Sequence, residues 1–368
     1  MAEKASTERR PARTGRRASR TRSNAATSES NWNSEKPDTL RDYYRQMWLI
    51  RRFEERCIEM YQRAKIGGYC HLNLGEEGTV VGLVAGMEPR DYLLTNYREH
   101  GYAIARGMEP GPVMAELFGK ATGVSGGWGG SMHLFDMKTR LLGGYAIVGG
   151  QIPLATGVAV ANSYRGLDDV VVCQMGDGTT NIGAWHESLN LAAIWNLPIV
   201  FAIVNNLLGM GTKVEWASAE PELYKRGAAF RMPGVRVDGN DVIAVRDATT
   251  SAVEAARGGQ PSILEFISHR MRGHSVVDPA RYRSAAEVEE ATQSDPVAAT
   301  RLRLLDLGVL DEAAASALEA DVEREVTACI EFADQSAFPD VSTLFDKVYA
   351  TPVANFARLL PGDPVVSG

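Results

Sequence analysis

An acid between two glycines, Gly176-Asp177-Gly178, and an amide pair, Asn205-Asn206, are the residues of this chain best suited to chemistry. Each stands at the end of a run rich in Val and Ile, and a helical stretch over roughly 182–196 lies between them. A helix of that length rises about 22 Å at ~1.5 Å per residue, and a strand at ~3.3 Å per residue returns over a similar distance. Asp177 and Asn206 are therefore expected side by side at the carboxyl ends of neighbouring parallel strands, where open α/β sheets bind their ligands. One offers a charged oxygen, the other a neutral one. Mg2+ takes about six hard oxygens and often shares them between one or two carboxylates and substrate phosphates. The glycines let the backbone approach, and the N-terminus of the following helix favours an anion. The chemistry implied is a metal-bridged diphosphate.

G-D-G followed by Asn-Asn, with a strand before and a strand between, resembles the thiamine diphosphate-binding motif. Other segments extend the likeness: Ile66-Gly67-Gly68-Tyr69-Cys70-His71-Leu72, Asn96-Tyr97-Arg98-Glu99-His100-Gly101, Gly129-Gly130-Ser131-Met132-His133, Gly149-Gly150-Gln151-Ile152-Pro153, Tyr224-Lys225-Arg226-Gly227 and Arg272-Gly273-His274-Ser275. They look like successive blocks of the pyruvate dehydrogenase alpha subunits, a family of thiamine diphosphate-dependent 2-oxo acid dehydrogenases, over roughly residues 40–345 and in the family's order.

The resemblance implies an α/β thiamine diphosphate-binding fold, mostly a parallel sheet with helices on both faces, and thiamine diphosphate and Mg2+ as cofactors. Asp177, Asn206 and the backbone carbonyl of Leu208 would be the metal ligands. Tyr97, Arg98, Gly178, Thr179 and His274 align with cofactor contacts, Ala146 and Val148 with the segment facing the aminopyrimidine, and His71 with a substrate-side histidine. His274 and His71 are carried over as the catalytic side chains. The planar Arg98 guanidinium suits a phosphate, and a neutral His274 could donate to another phosphate oxygen. The implied activity is oxidative decarboxylation of pyruvate, with the acetyl group passed to a lipoyl domain. The implied partners are a beta subunit, carrying the glutamate that activates the aminopyrimidine in a two-alpha, two-beta assembly, and a lipoyl-bearing acyltransferase. Acetoin-cleaving and branched-chain 2-oxo acid dehydrogenase subunits share the motif, though Cys70-His71-Leu72 and Arg272-Gly273-His274 favour small substrates.

The chain departs from the family at several positions. Leu207-Leu208 follows the amide pair where an Arg-Tyr or similar pair is frequent, and Val204 precedes it where an acid is common. A carbonyl ligand is indifferent to its side chain. Arg272 replaces the first histidine of His-Gly-His-Ser. Of the other histidines, His100 and His133 lie in glycine-rich loop settings that commonly carry sites, whereas His186, inside the helix after G-D-G, is expected to pack or face solvent. No strand is followed by G-x-G-x-x-G with an acid about 20 residues on, so a dinucleotide-binding fold is a poor match.

These residues must be positioned by the rest of the 368-residue chain, whose 45% apolar and 23% charged content is that of a globular protein. Residues 1–35 are expected to be a disordered basic tail. Residues 1–30 hold eight Lys/Arg, three Glu and no Leu, Val, Ile or aromatic residue, too little apolar surface to offset ordering. Subtracting that segment's +5 from the net −7 leaves −12, so nucleic acid is an unsuitable partner for the folded part; a nucleic-acid adaptor reading rests on the tail alone. Residues 36–285 are expected to form the α/β domain. It opens with a helix at Pro37-Asp38-Thr39, and its clearest strands are 170–175, 198–205 and 262–268. Residues 286–368 are expected to be a helical appendage, with a cap at Ser294-Asp295-Pro296 and a further helix from Asp311. The longest apolar run, 197–204, is far shorter than the ~20 residues a membrane span needs. Four dispersed cysteines without a C-x-x-C pair suggest neither disulfides nor zinc, and fit the reducing cytoplasm.

Overall fold

Runs rich in Val and Ile, such as Val171–Gly176 and Ile199–Asn205, are buried along nearly their whole length, as parallel strands covered on both faces must be. In the computed structural model, which describes residues 30–344 and Thr351, the chain runs α1 (Pro37–Gln62), α2 (Glu77–Ala85), β1 (Tyr92–Asn96), α3 (His100–Ala105), α4 (Pro110–Leu117), β2 (Leu141–Tyr145), α5 (Gln151–Arg165), β3 (Val171–Gly176), α6 (Gly183–Trp195) and β4 (Ile199–Asn205). A small hairpin of β5 (Leu208–Gly209) and β6 (Thr212–Lys213), then α7 (Val214–Ala217), leads to β7 (Gly234–Asp238), α8 (Val242–Arg257) and β8 (Ser262–Ile267). The helices α9 (Ala285–Gln293), α10 (Pro296–Asp306) and α11 (Glu312–Gln335) follow. The six main strands are all parallel, in the order β2-β1-β3-β4-β8-β7.

Side chains alternate between two cores, as the period of two requires. Val172, Val200 and Ala202 face the core shared with α1, α2, α8 and α11. Val171, Cys173, Ile199 and Phe201 face the core under α5 and α6. The first face is thick, with α1, α10 and α11 packed around α2 and α4. The second is covered by α5 and α6, whose outer sides leave Leu154, Tyr164, Ile194 and Trp195 exposed. From β1 the chain crosses to β2 on one side, whereas β3 leads to β4 on the other. The crevice between the ends of β1 and β3 is thus the point where the winding reverses, the place such sheets reserve for ligands.

The expected strands appear within one residue of their bounds, and Asp295 and Asp311 cap α10 and α11 with their side chains. α9 opens the expected helical region, and its start is a capping box in which Ser284 and Glu287 satisfy each other's backbone N–H groups. The tail boundary at residue 35 falls too late. Trp32 is 7% exposed, and Ser30 bonds to Asp241. The rest of that tail, residues 1–29, and residues 345–350 and 352–368 of the expected C-terminal region lie outside the described residues.

The C-terminal helices are joined to the α/β body by charge as well as packing. Arg51 of α1 is buried, donating to Glu77 at the start of α2 (2.7 Å) and, through both terminal nitrogens, to Asp295 (2.9 and 2.8 Å). Glu77 is fully buried, and burial holds its carboxyl above the usual range despite Arg51. Arg51→Met should leave that carboxylate without its cation and cost about 3–5 kcal/mol, read from the urea midpoint. A loss below about 1 kcal/mol would mean that the pair is solvated.

Candidate active site

Asp177 leaves β3 directly into a 3-10 turn, Asp177–Asn181. The turn is held from inside by Thr180 Oγ1, which donates to the Asp177 carbonyl (2.9 Å), and from outside by Arg226, whose Nη1 donates to the Thr180 carbonyl (2.8 Å) and to Asn181 Oδ1 (3.0 Å). That bonding gives the Tyr224-Lys225-Arg226-Gly227 block a physical role which the sequence left open. Asp177 is 6% exposed, and burial, aided by the negative charge of Glu76, pushes its carboxyl up to about 6 against the opposing turn N–H groups and Arg270. It is an acid short of positive charge.

The two asparagines after β4 divide their work. Asn205 is fully buried and structural: its Nδ2 donates to Glu265 on β8 (2.6 Å), and its Oδ1 accepts from Leu207 N (3.0 Å). Leu207 takes a left-handed φ of 68°, which costs a leucine about 1–2 kcal/mol. Asn206 Nδ2 donates to Glu76 Oε1 (2.9 Å), while its buried Oδ1 has no partner among the described residues. The hairpin that follows lies against the turn, since a Cβ placed on Gly209 would sit 3.7 Å from Asp177 Oδ2 and 3.8 Å from Gly178 Cα. The Leu208 carbonyl accepts a long 3.4 Å bond from Arg270. An unsatisfied amide oxygen, a buried acid and a nearby carbonyl are the hard donor set that Mg2+ prefers, so these residues fit the metal.

Across the crevice, Tyr97 and Arg98 follow β1. The rings of His71, Tyr97 and His274 cluster with centroids 4.4 to 5.6 Å apart. Both histidine Nδ1 atoms are buried without a partner among the described residues. Burial, and then the neighbouring Arg98, holds His71 down to about 2 and His274 to about 4, so both imidazoles are neutral near pH 7. Arg98 differs from its expected posture. Its Nη1 donates to the Leu72 carbonyl (2.5 Å) and its Nη2 to the His274 carbonyl (3.0 Å). It therefore ties together the two loops that carry the histidines, and the guanidinium is not presented as a free phosphate fork. Ala146 and Val148 follow β2, with Val148 49% exposed. Gly149 seats that segment on the Asp177–Asn181 turn, because a Cβ there would collide with Ile182 and lie 3.4 Å from Thr179.

Outside this ring cluster lie His100, His133, His186 and His269. His100 is fully buried and bonded at both nitrogens, to Glu54 (2.9 Å) and to Ser131, so it clasps α1 to the glycine-rich loop. His133 bonds the Gly144 carbonyl (2.9 Å), and His186 is exposed, as expected. Glu54, Cys57 and His100 come close enough to be considered as metal ligands. However, both Glu54 oxygens and both His100 nitrogens are already engaged, which makes the group a hydrogen-bonded clasp. The same loop is shaped by Glu116, fully buried, whose carboxylate accepts the N–H groups of Ser125, Gly127, Gly129 and Gly130. Glu76 and Glu116 were not legible in the sequence, because a buried acid looks like any surface charge until the fold surrounds it.

A family model described as the dehydrogenase E1 component matches residues 45–342. The chain is 44% identical over 315 residues to a pyruvate dehydrogenase E1 component subunit alpha of Rhizobium meliloti (strain 1021), covering 85% of this chain and 90% of that one. It is 43% identical over 314 residues to the protein of that name from Zymomonas mobilis, covering 84% and 88%. It is 41% identical over 318 residues to a chloroplastic pyruvate dehydrogenase E1 component subunit alpha-3 of Arabidopsis thaliana, covering 84% and 74%.

Neutral buried imidazoles make the site sensitive to acid. The folded chain binds a proton at His71 less readily than the unfolded chain does near pH 6.5, so the ring costs nothing above that pH and destabilises progressively below it. His71→Asn should therefore reduce the loss of unfolding free energy between pH 6.5 and 5 by about 1–2 kcal/mol. Identical pH slopes for the two proteins would show that the ring is solvated.

Proposed function

This chain belongs to the dehydrogenase E1 component family, and from that premise we propose that it is the alpha subunit of a thiamine diphosphate- and Mg2+-dependent pyruvate dehydrogenase component. The observations that carry the site assignment are the buried Asn206 Oδ1, without a partner among the described residues, and, one strand over, an Asp177 carboxyl that burial has pushed up to about 6. Asp177, Asn206 and the Leu208 carbonyl would hold Mg2+, and Gly178 and Thr179 would let the backbone approach the diphosphate. The bound cofactor supplies the electron sink on which a 2-oxo acid can lose CO2.

The chain's own residues do the positioning. Asp177, Asn206 and the Leu208 carbonyl would hold the metal, whose charge would offset that of the diphosphate, at the carboxyl ends of β3 and β4. His274 and His71, kept neutral by burial, can each donate or accept one proton at a ring nitrogen that none of the described residues engages. The carbonyls gripped by Arg98 keep the two rings within about 5 Å of each other. Ala146 and Val148 line the approach from β2, on the side where the aminopyrimidine would lie.

The remaining half of the site, with the aminopyrimidine-activating glutamate, belongs in this reading to a beta subunit in a two-alpha, two-beta assembly. The thin sheet face supports a partner, since α5 and α6 present Leu154, Tyr164, Ile194 and Trp195 outward. A lipoyl-bearing acyltransferase would receive the acetyl group. Pyruvate is favoured over acetoin and branched-chain 2-oxo acids by the relatives' names. Four free, buried cysteines suit a reducing cytoplasm, and no helix among the described residues is long and apolar enough to cross a membrane.

Reconstituted alpha and beta chains, assayed with an artificial electron acceptor, should give their highest kcat/KM with pyruvate among pyruvate, 3-methyl-2-oxobutanoate and acetoin, and alpha alone should turn over none of them. Preference for either competitor would reassign the substrate. In calorimetric titrations of the same complex, Asp177→Ala should weaken Mg2+-dependent cofactor binding more than about tenfold, and Leu208→Ala, which keeps its carbonyl, less than about threefold. Equal losses would overturn the ligand assignment.

A further inference from the structure

A carboxamide can coordinate a metal through its oxygen only, and its two ends are nearly the same size, so something must decide which end faces the metal. At Asn206 the deciding group is Glu76. Its Oε1 accepts from Asn206 Nδ2 at 2.9 Å. Rotating the amide by half a turn would set Oδ1 against a carboxylate oxygen and direct the NH2 group away from Glu76. In the observed orientation Oδ1 is the buried end without a partner among the described residues. We infer that Glu76 is a positioning residue for metal binding: it sets the polarity of the Asn206 amide so that an oxygen is presented beside Asp177. The inference rests on the ligand assignment proposed above.

Glu76 is itself fixed. It is 2% exposed and stands immediately before α2. Its second oxygen accepts from Asn73 Nδ2 (3.2 Å), and Arg98 Nε lies 4.0 Å from the same oxygen. Asn73 is in turn locked, with Oδ1 accepting from Gly101 N (3.1 Å) and Nδ2 reaching the Arg98 carbonyl (3.3 Å). A chain of bonds therefore runs from Gly101 of α3 through Asn73 and Glu76 to Asn206 at the end of β4. It links the β1 side of the crevice to the β4 side through an acid that need not touch the metal. Outer-sphere partners of this kind are worth about 10–100-fold in metal affinity.

The test uses the reconstituted alpha–beta complex and reads the Mg2+ concentration that half-saturates thiamine diphosphate binding by equilibrium dialysis, with circular dichroism as the folding control. Glu76→Leu removes the acceptor and should raise that concentration by about 10-fold or more, whereas Glu76→Gln, whose amide oxygen can still accept from Asn206, should stay within about fivefold of the native value. Adding Asn206→Asp to Glu76→Leu should recover at least part of the loss, because a carboxylate presents an oxygen at either end; a merely structural role for Glu76 would not be repaired this way. Native half-saturation in Glu76→Leu, or no recovery in the double variant, overturns the inference. Asn206→Ala separates the two possible failures. If it weakens binding while Glu76→Leu does not, only the positioning role falls; if it leaves binding unchanged, the ligand assignment falls and Glu76 with it.

Discussion

Gly176 lies opposite Val204 across the parallel strands β3 and β4, and the site depends on that register. It brings Asp177 out of the sheet one residue, and Asn206 two residues, beyond the last β3–β4 pair. A slip of one residue would turn every side chain of β4 to the opposite core, exchanging Phe201 and Ile203 for Val200 and Ala202 under α5 and α6. The two-sided apolar pattern of the strands thus places the donors indirectly. The same choice of face that packs Phe201 against Trp185, with ring centroids 5.6 Å apart, determines where the amide pair emerges.

Around that register the fold places several charged or polar groups where water cannot reach, and each is held by partners from a distant segment. Glu116 gathers four loop N–H groups, Glu54 holds His100 and the Asn73 backbone, and Arg51 joins α1, α2 and α10. Buried polar groups of this kind are costly unless satisfied, so they restrict the loops to the arrangements that satisfy them. Some buried polar atoms are left unpaired in several parts of the fold, and three of them belong to the candidate site. Asn206 Oδ1, His71 Nδ1 and His274 Nδ1 have no partner among the described residues. Unmet capacity at these three atoms is what a polar, charged ligand would complete.

The chemistry at the sheet edge was legible in the sequence because motif and topology share a cause. A strand, a glycine-flanked acid, a helix of suitable length and a second strand ending in asparagine leave little freedom in where the acid and the amide meet. The caps at Asp295 and Asp311 were readable for a similarly local reason. What escaped detection was long-range. Nothing near Glu76 in sequence shows that it reaches Asn206, 130 residues away. Nor does anything near Arg98 show that its fork closes on carbonyls at Leu72 and His274 instead of standing open for phosphate. The tail boundary drawn too late has the same origin, since the buried Trp32 donates its ring N–H to Asp241, 209 residues further along the chain.

The most direct test of the account is the position of the metal itself, located by anomalous scattering from Mn2+ in crystals of the alpha–beta complex grown with thiamine diphosphate. The account predicts one strong peak about 2 Å from an Asp177 carboxylate oxygen, from Asn206 Oδ1 and from the Leu208 carbonyl. A peak among Glu54, Cys57 and His100, or no peak at the ends of β3 and β4 while the cofactor is bound, would contradict it.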